Sequence, residues 1–291
     1  MNFQIGVNLW TIYGWSLLET VSSPILKKLA DMGNQCVELI LDENFNTEEI
    51  LLTQKPGLQA VLQETGMPVS SIASALFWKY NLGSQDEKLR NWGIETIEKE
   101  CRLASSYGAG VILVVAGLQE PHTGYERTYE TAIQSLRQAA KLADDMGVVI
   151  GVENVGCNFL TTPREYGQFI RDVDHPSVKA YLDIGNAWGV YGGYPENWIN
   201  AVKDQLIRVH VKDYSGETGY VECGKGNLRW ADALEALQKA DYRQPLMIET
   251  PPYQGEKDQD IPAGLEAAMT SLTWLKGFLA SLPEPAGKTA G

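Results

Sequence analysis

Alternating apolar and polar positions predict a strand with two different faces between Leu206 and Asp213. Positions 207, 209 and 211 hold branched apolar residues, whereas the positions between and after them hold Arg208, His210 and Lys212. Because successive side chains of a strand point to opposite sides, these three polar side chains share one face. A polar face with apolar backing is unusual for a buried strand, and it makes this segment the first candidate for a functional strand.

Three further apolar runs end in a carboxylate whose parity is opposite to that of its apolar neighbour. They cover residues 148–153, 178–183 and 245–249, and they end in Glu153, Asp183 and Glu249. Together with the strand that carries His210, four consecutive strands would deliver their polar groups to one common end. If these strands are parallel and close a barrel, the four side chains converge.

A helix, a glycine and a strand follow one another four times in the first half of the chain. The glycines, at positions 33, 66, 108 and 147, are predicted to end helices and to be followed within a few residues by strands. Eight strands are expected, near Ile5, Val37, Ser70, Leu113, Val149, Ala180, Val209 and Met247. Strands that alternate with helices imply a parallel sheet, and eight such units predict an α/β fold, the (β/α)8 TIM barrel.

A single domain is the economical division of the chain. We expect the barrel to span residues 1–282 and residues 283–291 to form a flexible tail with little to bury. A doubly wound open sheet is the alternative fold, but no glycine-rich G-x-G-x-x-G turn follows the first strand.

Composition and charge narrow the classes of function. The chain has 291 residues and a net charge of −13, which argues against a nucleic-acid surface because such surfaces need basic groups to replace phosphate counterions. It shows neither a long apolar run nor a signal-peptide pattern, so no membrane partner and a cytoplasmic location are expected. The four cysteines match no C-x-x-C spacing and are expected to be reduced thiols.

The polar groups at the strand ends predict a metal site. Three carboxylates and one imidazole suit a single divalent cation such as Mn, Mg or Co, and the absence of cysteine ligands disfavours structural zinc. Taken singly, each acid can equally be a solvated strand end, and His210 can equally be a core histidine. Their coincidence on successive strands favours one shared site.

Four phrases of the sequence carry a family resemblance: Gly151-Val-Glu-Asn154, Tyr181-Leu-Asp-Ile-Gly-Asn186, Arg208-Val-His-Val-Lys-Asp213 and Met247-Ile-Glu-Thr250. Through them the chain resembles the xylose-isomerase-like TIM-barrel superfamily, and within it the ketose 3-epimerases and L-ribulose-5-phosphate 3-epimerases. The resemblance implies that Glu153, Asp183, His210 and Glu249 bind the metal. It also implies that Glu153 and Glu249 exchange the proton at C3 of a ketose, through an enediolate.

Two positions differ from the pattern of the tagatose and psicose 3-epimerases, which the chain otherwise resembles. Asn186 and Gly216 stand where those enzymes carry a histidine and an arginine, so the resemblance is closer to the ribulose-phosphate branch. In that branch Lys212, Lys225 and Arg229 would meet a phosphate or a sugar hydroxyl. We expect substrate contacts from residues near the ends of strands at the same mouth, namely Trp10, Glu38, Trp78, Asn154, Asn186, Trp188 and Lys212.

Other activities fit the same predicted site. An aldose-ketose or hydroxypyruvate-type isomerase, a lyase acting on keto-sugars and a non-catalytic sugar-binding barrel stay open. Phosphodiester cleavage of the endonuclease IV kind is disfavoured, because it needs more histidine ligands than three histidines can supply and a basic DNA track. The expected partner is a small sugar or sugar phosphate, with no nucleic acid, and the resemblance implies a homo-oligomer, a dimer or tetramer.

Overall fold

Eight parallel strands close into a barrel in the computed structural model, which describes residues 3–14, 22–251 and 261–282. The barrel strands are β1 (Ile5–Asn8), β2 (Cys36–Leu41), β3 (Val69–Ser74), β4 (Val111–Val114), β5 (Val149–Glu153), β6 (Val178–Asp183), β7 (Leu206–Val211) and β10 (Leu246–Ile248). Their order around the barrel is β1-β10-β7-β6-β5-β4-β3-β2, so β5, β6, β7 and β10 are consecutive neighbours. The predicted TIM barrel is confirmed, and the open-sheet alternative is wrong.

Helices follow the strands and surround the barrel. They are α1 (Trp10–Tyr13), α2 (Ser22–Asp31), α3 (Glu48–Thr65), α4 (Glu87–Tyr107), α5 (Tyr125–Asp145), α6 (Pro163–Val173), α7 (Ile184–Gly189), α8 (Pro195–Val202), α9 (Trp230–Lys239) and α10 (Ile261–Ser281). A short antiparallel hairpin, β8 (Asp213–Ser215) and β9 (Gly219–Val221), interrupts this alternation after β7. Among these described helices, we find no segment with the length and apolarity needed to cross a bilayer.

Glycines end two of the long helices as the sequence predicts. Gly66 ends α3 at φ 69° and Gly108 ends α4 at φ 74°, both in the left-handed region that favours glycine. Each helix therefore stops within a few residues of the strand that follows it, which keeps the barrel connections short. The predicted tail, residues 283–291, lies outside the described residues.

The two faces of β7 separate as the alternation predicts, with one exception. Val209 and Val211 are fully buried in the apolar layer between strands and helices, while His210 and Lys212 belong to the barrel interior. The pairing of β6 with β7 shifts by one residue between Ala180 and Tyr181, which is a β-bulge. Ile207 consequently packs against the interior group around Tyr181 and not with the other two branched residues.

Polar groups fill much of the barrel interior. At its amino-terminal end the Arg208 guanidinium donates to the backbone oxygen of Ser70 at 2.9 Å and to the side chain of Gln244 at 3.1 Å. Midway along the barrel Glu38 and His210 are both fully buried. Buried polar groups of this kind need hydrogen-bonding partners. They extend from the barrel interior toward its carboxyl-terminal mouth.

Candidate metal centre and active-site cavity

Four side chains converge at the carboxyl ends of neighbouring strands. Glu153 ends β5, Asp183 ends β6, His210 lies in β7, and Glu249 directly follows β10. Each offers one ligand atom, and these atoms all lie within 4.8 Å of one another. His210 Nδ1 lies 3.0 Å from Glu153 Oε1 and 3.4 Å from Glu249 Oε2, so both glutamates lie beside the same ring nitrogen. The structure therefore brings the predicted ligand set together.

Glu38 holds His210 from below and is not part of the cavity wall. Its Oε1 lies 2.7 Å from His210 Nε2 and accepts from Asn8 Nδ2 at 2.6 Å. Its Oε2 accepts from Ser71 Oγ at 2.5 Å and from the Tyr181 hydroxyl at 2.6 Å. With Nε2 directed at this carboxylate, Nδ1 points toward Glu153 and Glu249. The sequence placed Glu38 among the substrate contacts, but its fully buried carboxylate instead contacts the back of the imidazole.

Charges in this cluster favour a cation at its centre. Burial alone would raise the pKa of Glu38, but His210 and the hydrogen-bonding hydroxyls hold it below the usual value. Burial alone would lower the pKa of His210, but Glu249 and Glu38 raise it well above its usual value. Burial raises the pKa of Glu153 to about 7, and the neighbouring Glu249 acts in the same direction. Three carboxylates this close together repel one another unless positive charge lies between them.

Lys212 supplies one positive charge to the cluster. Its ammonium donates to Asp183 Oδ2 and to Glu249 Oε2, the latter at 2.7 Å. The nitrogen also lies 5.1 Å from the centre of the Tyr220 ring, which suits a cation-π contact. Lys212 is almost fully buried, yet it lines the cavity. The two paired carboxylates explain how an ammonium is stable at this depth.

Two asparagines fix the aspartate. Asn154 accepts from the backbone N–H of Asp183 at 2.7 Å and donates to the backbone oxygen of the same residue at 2.9 Å. The backbone N–H of Asn186 donates to Asp183 Oδ1 at 2.9 Å, and its side chain donates to the backbone oxygen of Asn154 at 3.0 Å. The two asparagines, which belong to the phrases that carry the resemblance, thus fix the position of the candidate ligand Asp183 through hydrogen bonds. Of the two, only Asn186 lines the cavity.

Tyr220 is a cavity residue that the sequence reasoning missed. It lies on β9 of the inserted hairpin, and its hydroxyl donates to Asn186 Oδ1 at 2.5 Å. The hairpin strands have three residues each, too short for a period in the sequence to identify them. No local signal could have placed this hydroxyl beside a residue on the preceding barrel unit.

Asp213, the last residue of the His-Val-Lys-Asp phrase, organises the loop after the hairpin. Its fully buried carboxylate accepts from the backbone N–H groups of Tyr214, Gly224 and Leu228 and from Trp230 Nε1, at 2.8–3.0 Å. A Cβ at Gly226 would lie 2.3 Å from this carboxylate, so the close approach requires glycine. Asp213 thereby ties together the start of the hairpin, the loop after it and the first residue of α9.

A cavity of about 390 Å³ is lined by two of the four candidate ligands, Glu153 and Glu249. Trp10 and Trp78 contribute to its wall, as the sequence predicts for their positions, although their contact with a substrate stays a prediction. Trp188 is not among the residues that line this cavity; its indole N–H donates to Asn227 Oδ1 at 2.9 Å, its ring packs toward Tyr194, and its contact with a substrate also stays a prediction. The volume is within the range of small-molecule sites.

Comparison with known proteins agrees with this arrangement. The sequence pattern of the family described as "Xylose isomerase-like TIM barrel" matches residues 26–277. SgbU of Escherichia coli strain K12, provisionally named an L-ribulose-5-phosphate 3-epimerase, is 27% identical over 272 residues, which cover 85% of this chain and 88% of SgbU. The L-ribulose-5-phosphate 3-epimerase UlaE of Salmonella heidelberg strain SL476 is 25% identical over 242 residues, which cover 77% of this chain and 81% of UlaE.

A solved structure extends the comparison to the fold. D-psicose 3-epimerase, crystallised in the presence of D-fructose, superposes with a TM-score of 0.77 over 96% of this chain and 100% of that chain. The two sequences are 17% identical, so this likeness concerns the fold.

Proposed function

Because the chain belongs to the xylose isomerase-like TIM barrel family, we propose that it epimerises a ketose or ketose phosphate at C3 with one divalent cation. The chain is an enzyme, in keeping with the epimerases that it resembles over most of its length. The observation that carries the proposal is the cluster of Glu153, Asp183, His210 and Glu249, in which both glutamates line the cavity and lie beside His210 Nδ1.

The residues of this cluster fit a divalent cation. Three carboxylates and one imidazole nitrogen form the oxygen-rich donor set that Mn, Mg or Co prefers, and the ligand atoms lie close enough to share one ion. His210 would use Nδ1, because Nε2 donates to Glu38, and Asp183 is held by the two asparagines. When bound, such a cation supplies electrophilic polarisation of a ketose carbonyl.

Glu153 and Glu249 would exchange the proton. Epimerisation at C3 removes a proton from one face of the carbon and returns one to the other, so it needs a carboxylate on each side. Both glutamates line the cavity, and they approach His210 Nδ1 from separate strands. We assign one as base and the other as acid, with their roles exchanged in the reverse direction.

Other cavity residues would hold the sugar. Lys212, Asn186 and Tyr220 offer polar atoms beside the candidate ligands, and Trp10 and Trp78 offer flat apolar surface for the carbon skeleton. For Glu38 and Asn154 we propose positioning roles, because their polar atoms are directed at His210 and Asp183. Trp188 would affect the site indirectly, through its hydrogen bond to Asn227.

Deuterium exchange tests the proposal. Protein loaded with Mn²⁺ is incubated with ketoses and ketose phosphates in D2O, and the products are examined by NMR for deuterium at C3 and for the second epimer. Deuterium at C1 would instead identify an isomerase, and loss of a carbon-oxygen bond would identify a lyase. No exchange with any substrate would overturn the proposal, and sugar binding without exchange would indicate a non-catalytic barrel.

Variants separate the two glutamates from the fold. E153Q and E249Q should each lose epimerisation by at least a hundredfold, since general acid-base groups contribute about 10²- to 10⁴-fold. E266Q, an exposed glutamate on α10, is the matched control and should keep full activity. Metal content is measured for each variant, so that loss of the cation is distinguished from loss of proton transfer. Homo-oligomer formation stays a prediction, which light scattering measures.

A further inference from the structure

Lys212 joins two of the candidate metal ligands across the strand that carries a third. It follows β7, which lies between β6 and β10 in the barrel, and His210 is two residues before it. Its ammonium donates to Asp183 Oδ2, at the end of β6, and to Glu249 Oε2, after β10, the latter at 2.7 Å. The side chain is almost fully buried, yet it lines the cavity together with Glu249. Lys212 therefore lies where the ligand set meets the cavity.

The fold leaves space for the stem of this lysine. A Cβ at position 185 would lie 2.4 Å from Lys212 Cγ and 2.9 Å from the backbone oxygen of the same residue, so Gly185 is required beside it. The ammonium also lies over the Tyr220 ring, 5.1 Å from the ring centre. Gly185 and Tyr220 thus enclose the side chain beside the ligand set.

The ammonium has more donors than the described carboxylates use. A lysine ammonium has three N–H donors, and within the described parts of the chain its hydrogen bonds to carboxylates take two of them. The Tyr220 ring beneath the nitrogen is only a weak acceptor. An oxygen that gains negative charge in the cavity is a stronger one, because charge-assisted hydrogen bonds are about twice as strong as neutral ones. Lys212 can therefore donate to a substrate oxygen without giving up either carboxylate.

The charges of the ligand set and Lys212 balance once the proposed cation is included. Three carboxylates carry three negative charges, against two on the divalent cation and one on the ammonium. His210 is neutral when Nδ1 is a ligand, and Glu38 on its other side accepts from four donors, of which His210 is one. Proton removal from C3 moves one negative charge from a glutamate to the ketose. Without Lys212 these described groups would carry one excess negative charge beside the oxygen that becomes anionic.

We propose that Lys212 is a catalytic residue whose ammonium stabilises the negative charge that forms on the ketose during proton removal. The inference rests on the proposed epimerase function. In this step the C3–H bond breaks and its proton passes to one glutamate. The electron pair of that bond forms a C2–C3 double bond, while the carbonyl electrons move onto the C2 oxygen to give the enediolate. The ammonium donates to the oxygen that receives the charge, and it transfers no proton. Return of a proton from the other glutamate to C3 restores the ketone.

Metal affinity separates this role from a purely structural one. K212M removes the charge and keeps most of the length of the side chain. Because an ammonium and a divalent cation repel each other, K212M should bind Mn²⁺ at least as tightly as the parent protein. A lysine that only held the ligands in place would give the opposite result. Calorimetric titration of the metal-free variant with Mn²⁺, at fixed pH and salt, measures the difference, and weaker binding by K212M would overturn the proposal.

Binding of an enediolate analogue tests the stabilisation of charge directly. N-hydroxy-N-(2-hydroxyethyl)glycolamide is planar at its centre, carries two adjacent oxygens like a 2,3-enediolate and is anionic when ionised. With saturating Mn²⁺, K212M should bind this hydroxamate about 10- to 100-fold more weakly than the parent, the loss expected for a hydrogen bond to a charged group. Its affinity for the neutral ketose that the parent epimerises should change little. Equal losses for the two ligands, or no loss for the hydroxamate, would overturn the proposal.

Chemical rescue measures what the ammonium contributes to turnover. K212M and K212C should lower kcat by about 10²- to 10³-fold, the range for a group that stabilises charge in the transition state. Alkylation of K212C with 2-bromoethylamine rebuilds an ammonium side chain of nearly the length of lysine and should recover most of the lost kcat. Complete alkylation, measured by mass spectrometry, without recovery would overturn the proposal.

Two controls accompany the rescue. The parent protein, treated with the same reagent, accounts for alkylation of Cys157, the partly exposed native cysteine. K239M replaces an exposed lysine on α9 that pairs with Glu235, and it should keep the kcat and the metal affinity of the parent.

Failure of the inference and failure of the proposed function give different results. If the parent protein exchanges no deuterium at C3 with any ketose, the proposed function is wrong and the inference falls with it. If the parent epimerises a ketose and K212M has the same kcat, the epimerase function stands and only the role of Lys212 is refuted.

Discussion

Replacing Glu38 by glutamine tests how the barrel interior prepares the metal site. The carboxylate accepts two hydrogen bonds at each oxygen, from Asn8 and His210 at Oε1 and from Ser71 and Tyr181 at Oε2. A glutamine of the same shape can keep its oxygen toward Asn8 and His210. The two hydroxyls can then turn and accept from the new amide, because a hydroxyl is both donor and acceptor. E38Q should therefore fold with the same contacts and lose only the negative charge.

The lost negative charge determines how much E38Q should weaken metal binding. A hydrogen bond to a charged group contributes about 1.5–3 kcal/mol, against about 0.5–1.5 kcal/mol for a neutral one, so the bond to His210 should weaken by roughly 1–1.5 kcal/mol. Changes to groups that orient a metal-binding histidine typically lower metal affinity by about 10- to 100-fold. The two figures overlap near a tenfold loss, which corresponds to about 1.4 kcal/mol. We predict that E38Q binds Mn²⁺ between about 10- and 100-fold more weakly than the parent protein.

Calorimetric titration of metal-free protein with Mn²⁺, at fixed pH and salt, measures this difference. The matched control is E43Q, because Glu43 is also a hydrogen-bonded glutamate, paired with Lys79 and Tyr80, but lies at the surface. Thermal melting of both metal-free variants shows whether the fold has changed. An E38Q affinity within threefold of the parent, or an equal loss in E43Q, would refute the reasoning.

Three more predictions each concern a single polar side chain. D213N should lower the free energy of unfolding by about 2–6 kcal/mol in urea titrations, because each carboxylate oxygen accepts from two donors and the new amide nitrogen leaves one such pair unpaired at about 1–3 kcal/mol per donor; a change below 1 kcal/mol would contradict it. Glu100 is buried without a hydrogen-bond partner, and burial raises its pKa well above the usual value, so it keeps a proton that the unfolded chain releases. The free energy of unfolding should therefore fall as pH rises above about 4.5, by up to about 1.4 kcal/mol per unit, until the raised pKa is passed. E100Q should remove this slope between pH 5 and 7, and equal slopes in the two proteins would show that Glu100 is ionised when folded. Y220F removes the hydroxyl that donates to Asn186. Because one neutral hydrogen bond is lost, kcat/KM should fall by about two- to tenfold while metal affinity stays unchanged. A loss of metal affinity would instead assign Tyr220 to the metal site.

Alternation along the strands was enough to bring four side chains to one end of the barrel. His210 and the acids at positions 153, 183 and 249 each have inward parity, and parity depends only on neighbours in the sequence. The glycines that end helices are equally local, since a left-handed φ at a position such as Gly66 is a property of that residue and its turn. The fold class and the members of the candidate site could therefore be predicted from the sequence alone. Their roles in metal binding and catalysis stay predictions.

Contacts across the barrel were decided only by its closure. Glu38 lies 172 positions from His210 and not on a neighbouring strand, and parity placed it inside without showing that it would sit beneath the imidazole. The bulge that turns Ile207 inward depends on the pairing of β6 with β7, and Tyr220 reaches Asn186 only because the hairpin folds back over the mouth. The sequence by itself determined which residues face inward, because alternation is a local property of the backbone. Which of them meet, and at what depth, was decided by the tertiary structure, since register, bulges and inserted loops arise from packing between distant segments.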